Sequence, residues 1–533
     1  MELMTLFRLL QGASWISIFS YGIGISLGLW MFSVLLQLLN DPLAGIPGPI
    51  YCRFSRLPYV YWVCTGRLVF RIKELHDQYG EVFRIAPDEV QFINPEAWKD
   101  IFGHKTQGAK EFPKDLRFYP MPPGGVRDLL TADQANHPRM RKMLSPAFAE
   151  KTLREQEAII TSYVDFMVGK LRGMVTKQED GAVYARADMV KWYNYLIFDI
   201  IGDLTFGKPF FCLASSDYHP WVSTIFSSTK GAIIANNGDY LPAVKYLAML
   251  LLVVAKPRLV IDRISRLKYS VNKTSERLAS QTDRPDFMSY IMKGAETGQP
   301  LSKEELDANA DLLVFAGSET TSTFLSGCTY FVLSNPRVYR RLVAEVRGSF
   351  NSEEEMTFAS IQRLPYLSAV MQEAFRMYPP IPVGPPRKVP EGGAVVRGIS
   401  LPENTAVAIT QYAAGHSETN FTDPYTYTPE RWLPDADERF ASDRRRAVQP
   451  FAVGPRNCIG QNLATAEIRL TMIKMLWHFE AELAPECENW HKQSIFGLWE
   501  KPPLMIKLRP REHCQDKDEA HEYIHPGVMC TKM

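Results

Sequence analysis

Phe451-Ala452-Val453-Gly454-Pro455-Arg456-Asn457-Cys458-Ile459-Gly460 is the stretch on which the reading of this chain turns. One cysteine, Cys458, stands in a loop with Gly454 before it and Gly460 after it, and the run Gln461 to Leu470 that follows has helical character. A thiolate can hold haem iron as a single axial ligand and push electron density into it, which favours cleavage of bound dioxygen. Burying an unpaired thiolate is costly, so such a ligand needs N–H donors and positive charge around it. The loop offers both. Cys458 would sit at a helix N-terminus, where the dipole favours an anion, and Arg456 is placed to pair with a haem propionate. Gly454 permits a tight turn and Gly460 a close approach of backbone to a flat ring, because neither has a Cβ. Most lone cysteines in mixed loops are small buried hydrophobes. The Phe, Gly, Arg and Gly at these spacings reverse that expectation for Cys458.

Working outward, the best-delimited helix opens at Ser302-Lys303-Glu304-Glu305, a capping box, and stops before Asn335-Pro336. Inside it lies Ala316-Gly317-Ser318-Glu319-Thr320-Thr321. Gly and two Thr weaken a helix interior, and Thr hydroxyls compete for the preceding carbonyls, which predicts a local distortion. Taken alone, this string also reads as a surface turn with a solvated glutamate. A second helix carries Glu373-Ala374-Phe375-Arg376 and ends at Tyr378-Pro379-Pro380, so Glu373 and Arg376 face each other at i,i+3. In His137-Pro138-Arg139-Met140-Arg141-Lys142 the four-residue spacing puts His137 and Arg141 on one helical face, which by itself is equally a basic surface. Short β-like runs occur at 81–85, 90–93 and 406–409, so the body reads as mainly helical with small sheets.

The Cys458 loop matches, position by position, the proximal-cysteine signature of the cytochrome P-450 family of haem-thiolate monooxygenases, and Ala316 to Thr320 resembles that family's Ala-Gly-x-acid-Thr pattern. The resemblance implies the cytochrome P-450 fold over about 51–511, with haem b as cofactor and Cys458 as its axial ligand. It implies that Phe451, Gly454 and Gly460 shape the haem-binding loop, that Ala316 and Gly317 leave room beside the iron, that Thr320 hydrogen-bonds bound oxygen, and that Glu319 relays protons. It further implies a buried network of Glu373 and Arg376 with Arg431 of Pro429-Glu430-Arg431-Trp432, and propionate contacts from His137, Arg141 and Arg387. Substrate contacts fall, by the same resemblance, at 112–130, 381–386 and 495–499; their apolar, aromatic character suits a lipophilic small molecule. The runs 83–87, 198–207 and 453–460 look like fungal secondary-metabolite members near the isotrichodermin-hydroxylase type. The implied reaction inserts one oxygen atom from O2 by hydroxylation or epoxidation. No flavin or nicotinamide fingerprint is present, so NADPH would act through a separate cytochrome P-450 reductase. Two rivals use the same cysteine: a reductase-independent isomerase or dehydratase, and a non-catalytic haem sensor. Retention of Glu319 and Thr320 argues against the first, and the features of a membrane-held, reductase-fed enzyme argue against the second.

The 533 residues carry 60 Lys plus Arg against 59 Asp plus Glu, so no global field points to nucleic acid. Eight cysteines are scattered without a CxxC pair, as expected of reduced thiols facing a cytosol. Leu9 to Asn40 contains no charge, which predicts a single transmembrane anchor at 13–39 behind a short lumenal tail of 1–12. Arg53, Arg56, Arg67, Arg71 and Lys73 follow it, so the catalytic body is expected on the cytosolic face of the endoplasmic reticulum. A proline-rich hinge is expected at 40–50 and a polar tail at 512–533. The short apolar run 246–255 reads as a core helix or a membrane-resting lip. Arg444-Arg445-Arg446, with Arg139 and Lys142, is a candidate basic docking face for the reductase.

Overall fold

The computed structural model describes residues 40–105, 109–119, 121–122, 124–178, 181–223, 230–231, 233, 237–240, 257–280, 284–295 and 299–511, with scattered positions between 20 and 32. Most of the expected anchor at 13–39 therefore lies outside the described residues, and the 246–255 run and the 512–533 tail lie wholly outside them. Among the described residues no helix is long and apolar enough to cross a membrane. The described positions within 20–32 are helical, with Tyr21, Ile25, Leu29 and Phe32 exposed.

Six helices position the site: α1 (Asn136–Leu144), α2 (Glu150–Gly173), α3 (Met189–Phe206), α4 (Lys303–Leu333), α5 (Pro365–Met377) and α6 (Gln461–His478). In α3 every residue except Lys191 is buried, the pattern of a helix enclosed on all sides. Its acidic residues are each committed. Asp199 accepts from the Cys212 and Leu213 N–H groups at 3.0 and 2.8 Å, capping the next short helix, and Asp203 takes the Tyr163 hydroxyl at 2.9 Å. The packing partner of α3 is α4, which also touches α5 and α6. The capping box at the start of α4 is complete: the Glu305 N–H donates to Ser302 Oγ at 3.1 Å and the Ser302 N–H to Glu305 Oε2 at 2.9 Å. The helix then runs unbroken to Leu333, about 46 Å at 1.5 Å per residue. The expected distortion at 316–321 is absent. Thr320 does donate to the Ala316 carbonyl, at 2.7 Å, but burial against α3 holds the ladder together.

One small sheet orders its strands 82–86, 89–92, 406–409 and 387–388, and a second orders 176–177, 183–188, 505–510 and 479–483. In the first, Glu89 to Phe92 pair in parallel with Ala406 to Ile409, and Arg387 lies opposite Val407. All four residues of 406–409 are buried, as a central strand requires. The segment expected as a hinge has no helix before Ile50, yet it is docked: Leu43 and Ile46 are buried, and Arg84 holds both oxygens of Asp41 at 2.8 and 2.6 Å.

Candidate active site

The cysteine loop is tied down before it reaches Cys458. Trp98 Nε1 donates to the Ala447 carbonyl at 3.2 Å and Gln411 Nε2 to that of Gln449 at 2.5 Å. Gly454 adopts φ +80°, and a Cβ there would fall 1.9 Å from the Phe102 carbonyl oxygen, so only glycine fits. A Cβ on Gly460 would meet nothing within 4 Å; that glycine borders open space. The Cys458 N–H closes the loop on the Phe451 carbonyl at 2.8 Å. Cys458 is exposed by accessible area while its thiol is surrounded by protein, which together describe a side chain opening onto an interior space. Burial pushes the thiol pKa up, opposed by the Gly460 N–H and by Arg141. Arg141 reaches this position from α1 by donating to the Asn457 carbonyl at 2.6 Å and to Asn457 Oδ1 at 2.7 Å. Among the described residues, no group of three or more acidic, His or Cys side chains is arranged to hold a free metal ion.

A line of aromatic rings joins the loop to the helices: Phe451 against Phe375 of α5 at 5.3 Å, and Phe375 against Phe324 of α4 at 4.0 Å. On α4, Ala316 is exposed between half-buried Phe315 and Gly317, and Thr320 is half-buried between buried Glu319 and Thr321. Gly317 does something other than leave room at the cofactor. An added Cβ would lie 2.8 Å from Ile201 Cδ1 of α3, so this glycine lets α3 and α4 approach. Glu319 is buried, and its Oε1 accepts from Lys501 Nζ and from Thr323 Oγ1, the latter at 3.2 Å; Oε2 has no partner among the described residues. Lys501 also donates to Thr323 Oγ1. Sequence reading missed Lys501, since no local pattern links residues 182 apart.

The basic residues gather as expected, with partners that were not. Arg456 donates from Nε to Glu111 at 2.6 Å and from a terminal nitrogen to the Ala132 carbonyl at 2.9 Å. Arg387 donates to the Phe112 carbonyl at 3.2 Å and sits 3.8 Å from Glu111, while its buried Nε has no partner among the described residues. Burial, then Arg456, lowers the Arg387 pKa. His137 is buried, and burial together with Arg456, Lys114, Arg141 and Arg387 lowers its pKa to about 3; it is a neutral hydrogen-bonding group, not a charge. Three cationic side chains, Arg387, Arg456 and Lys114, around one carboxylate, Glu111, with an orphaned guanidinium nitrogen, suit a ligand bearing carboxylates. The accessible thiol beside them suits its iron. Haem b, with two propionates, fits this donor set.

Glu373, Arg376 and Arg431 are fully buried and joined. Arg376 donates to Glu373 Oε2 at 2.8 Å and Oε1 at 2.7 Å, and Arg431 to Oε1 at 3.2 Å. Trp432 Nε1 and the Thr428 N–H also donate to Glu373, at 2.8 and 2.9 Å, and Asp443 takes Arg431 at 2.5 Å. Burial raises the Glu373 pKa, but Arg376 and Arg431 outweigh it and the net shift is downward. Of the proposed basic face, Arg444 is ion-paired with Glu81, and Arg139 with Glu305 (3.2 Å to Oε2); Lys142 and Arg446 are exposed. In the 495–499 hairpin Trp499 is spent on structure, donating to the Pro379 carbonyl at 2.8 Å and stacking 4.1 Å from Tyr378.

The family model for cytochrome P-450 matches residues 47–508. The cytochrome P-450 monooxygenase astJ of Aspergillus oryzae is 42% identical over 496 residues, covering 93% of this chain and 97% of that protein. The cytochrome P-450 monooxygenase lcsI of Purpureocillium lilacinum is 44% identical over 472 residues, 88% and 90% of the two chains. Averantin hydroxylase of Dothistroma septosporum is 39% identical over 499 residues, 92% and 91%. Because these matches run through the Glu319-Thr320 helix and the Cys458 loop alike, this chain belongs to the cytochrome P-450 family of haem-thiolate monooxygenases.

Proposed function

We propose that this monooxygenase inserts one oxygen atom from O2 into a lipophilic small molecule of a fungal biosynthetic route, by hydroxylation or epoxidation, with NADPH electrons delivered by a separate cytochrome P-450 reductase. The observation that carries the reading is the accessible Cys458 thiol at the start of α6, flanked by the Gly460 N–H and Arg141. Haem b, held by Cys458, supplies the oxygen-activating chemistry when bound. The chain's own groups do the rest. Arg387, Arg456 and neutral His137 hold the carboxylates, and Arg141 fixes the loop through Asn457. Ala316 leaves space on α4. Thr320 donates its hydroxyl proton to the Ala316 carbonyl, so its oxygen lone pairs are turned to accept from water or substrate-side donors. Glu319 offers Oε2 as the atom that takes and returns a proton, while Lys501 and Thr323 hold Oε1 still.

The domain scheme above belongs to the same proposal: a 13–39 anchor, the body facing the cytosol at the endoplasmic reticulum, and a free 512–533 tail. Support comes from the uncharged 9–40 run and the basic residues after it. The relative named averantin hydroxylase makes averantin a reasonable first trial substrate.

Membranes carrying the full chain with a cytochrome P-450 reductase test the reading. A thiolate-type reduced-CO spectrum and NADPH-dependent product carrying one atom of isotopically labelled O2 are expected. Turnover without NADPH or reductase would favour the isomerase instead. In Thr320→Ala, haem loading is expected to hold while product per NADPH falls about tenfold; an unchanged ratio removes Thr320 from the proton path.

A further inference from the structure

We infer that the cleft between the Pro95–Phe102 helix and the Arg445–Ala447 turn binds a compact phosphate anion, a phosphomonoester or pyrophosphate, through Arg397, Arg445 and Arg446. The cleft has a volume of about 700 Å3, within the range of small-molecule sites. Four guanidiniums line it, those three and Arg444, together with two carboxylates, Glu96 and Asp443. The carboxylates leave most of that charge unanswered. Asp443 is committed inward, accepting from Arg431 at 2.5 Å and from the Thr422 N–H at 2.7 Å. Glu96 is exposed and stands 3.9 Å from Arg397. Arg444 is paired with Glu81. Among the described residues, the side chains of Arg445 and Arg446 have no partner.

Arg397 comes to the cleft from the tip of a hairpin in which Val396 pairs with Ile399. The two-residue turn puts Arg397 at φ +52° and Gly398 at φ +76°, a left-handed pair that Asn-Gly adopts most easily. Arginine at the first of these positions is strained. Packing does not demand it, because Arg397 is exposed, whereas a charge to be held at the cleft mouth does. The Arg397 N–H pins the turn on Asp100 Oδ2 at 2.9 Å.

Guanidinium forks match phosphate oxygens two at a time, and several forks around one concavity suit several oxygens on one or two phosphorus atoms. The N-terminus of the Pro95–Phe102 helix, capped by Asn94, adds its positive dipole end. Phe440, the aromatic residue of the lining, is buried and already carries the guanidiniums of Arg431 and Arg439 at 4.5 and 4.4 Å. The cleft therefore selects charge and not a nucleobase. An acidic protein would present single carboxylates to a broad face, and two cations of that face, Arg444 and Arg139, are ion-paired within the chain. The phosphate group can arrive free in solution or on the headgroup of an acidic phospholipid.

The test titrates pyrophosphate calorimetrically into the full-length, haem-loaded protein in phosphatidylcholine nanodiscs, with reduced-CO spectra checking that each variant is folded. One saturable site is expected. Its Kd is expected to rise about tenfold in Arg445→Gln and in Arg446→Gln, and to stay at the wild-type value in Lys142→Gln, which removes an exposed cation absent from the cleft lining. Nanodiscs carrying phosphatidic acid, compared with the same fraction of phosphatidylglycerol, separate the sources. A higher pyrophosphate Kd with phosphatidic acid alone, seen in wild type and lost in Arg445→Gln, assigns the lipid headgroup; equal values in the two lipids assign the soluble anion. No pyrophosphate binding, or the same loss in Lys142→Gln as in Arg445→Gln, overturns the site. So does a double variant, Arg445→Gln with Arg446→Gln, whose one defect is weaker reductase affinity, since that returns both arginines to a partner's face.

Discussion

Two clusters of buried charge, one around Glu373 and one around Arg387, are built on opposite principles. Around Glu373 each formal charge is answered: two carboxylates, Glu373 and Asp443, meet two guanidiniums, Arg376 and Arg431, and Trp432, Thr428 and the carbonyls of Gly415 and Pro424 take up further donors and acceptors. Around Arg387, three cations, Arg387, Arg456 and Lys114, share Glu111, and among the described residues the Arg387 Nε is orphaned. A saturated cluster has no capacity left for a ligand and can only hold the fold. An unsaturated one pays for its repulsion by binding. The contrast separates structural charge from binding charge in a site where both are arginine-rich.

The largest expected effect breaks the saturated side. Glu373→Gln leaves the buried Arg376 without a carboxylate and Arg431 with Asp443 alone, and breaking a buried ion pair costs about 3–5 kcal/mol, a large share of a domain's stability. Membranes are expected to contain little haem-loaded protein by reduced-CO spectrum; wild-type loading would mean that the network is decorative. Arg387→Gln is the converse. It removes a repelling cation, so the chain is expected to fold and load, and to lose haem about tenfold faster, the equivalent of one charged hydrogen bond. Should Arg387→Gln instead abolish folded protein, the two clusters would not differ in kind.

How much of this was legible in the sequence follows the distance over which each partner acts. The capping box of α4, the Glu373–Arg376 pair and the cysteine loop are local patterns, and each stands where the spacing puts it. The strand expected at 81–85 is found at 82–86 because its register is set by pairing with 89–92. Asp443, Trp432, Glu111, Lys114 and Lys501 were not legible, since each meets its partner through folding across tens to hundreds of residues. Gly317 was read for the cofactor and serves helix packing, because a small residue in a helix looks the same whichever face it opens.

Between the two extremes lies Glu319, with one oxygen held by Lys501 and Thr323 and the other free. If a half-saturated carboxylate is what a proton relay needs, Lys501→Met is expected to keep haem, lower product per NADPH about threefold to tenfold, and shift the pH profile of coupling. Lys501→Arg, which preserves the charge, is expected to recover most of the loss. Unchanged coupling in Lys501→Met would assign the lysine to the fold alone.

Glu467 on α6 completes the series as a carboxyl with no cation beside it among the described residues. It is 1% exposed, its Oε1 has no partner, and the Thr321 hydroxyl lies near it without reaching hydrogen-bond geometry. Burial therefore lifts its pKa to about 8, only slightly offset by Thr321. Where Glu373 is kept ionised by its neighbours, Glu467 is kept neutral by their absence. The sign follows from the protons bound: between an unfolded carboxyl's pKa near 4.5 and the folded value of about 8, the folded chain holds a proton that the unfolded chain has released. The stabilising contribution is thus complete below the unfolded pKa and is lost as pH rises through the folded one. Glu467→Gln keeps the shape and removes the proton. Thermal midpoints of the haem-loaded protein are expected to coincide with wild type near about pH 5 and to exceed it near about pH 8, flattening the decline between. A variant that declines as steeply as wild type would show that Glu467 finds a cation or a proton acceptor in the folded protein, and would move it from the unsaturated end of the series to the saturated one.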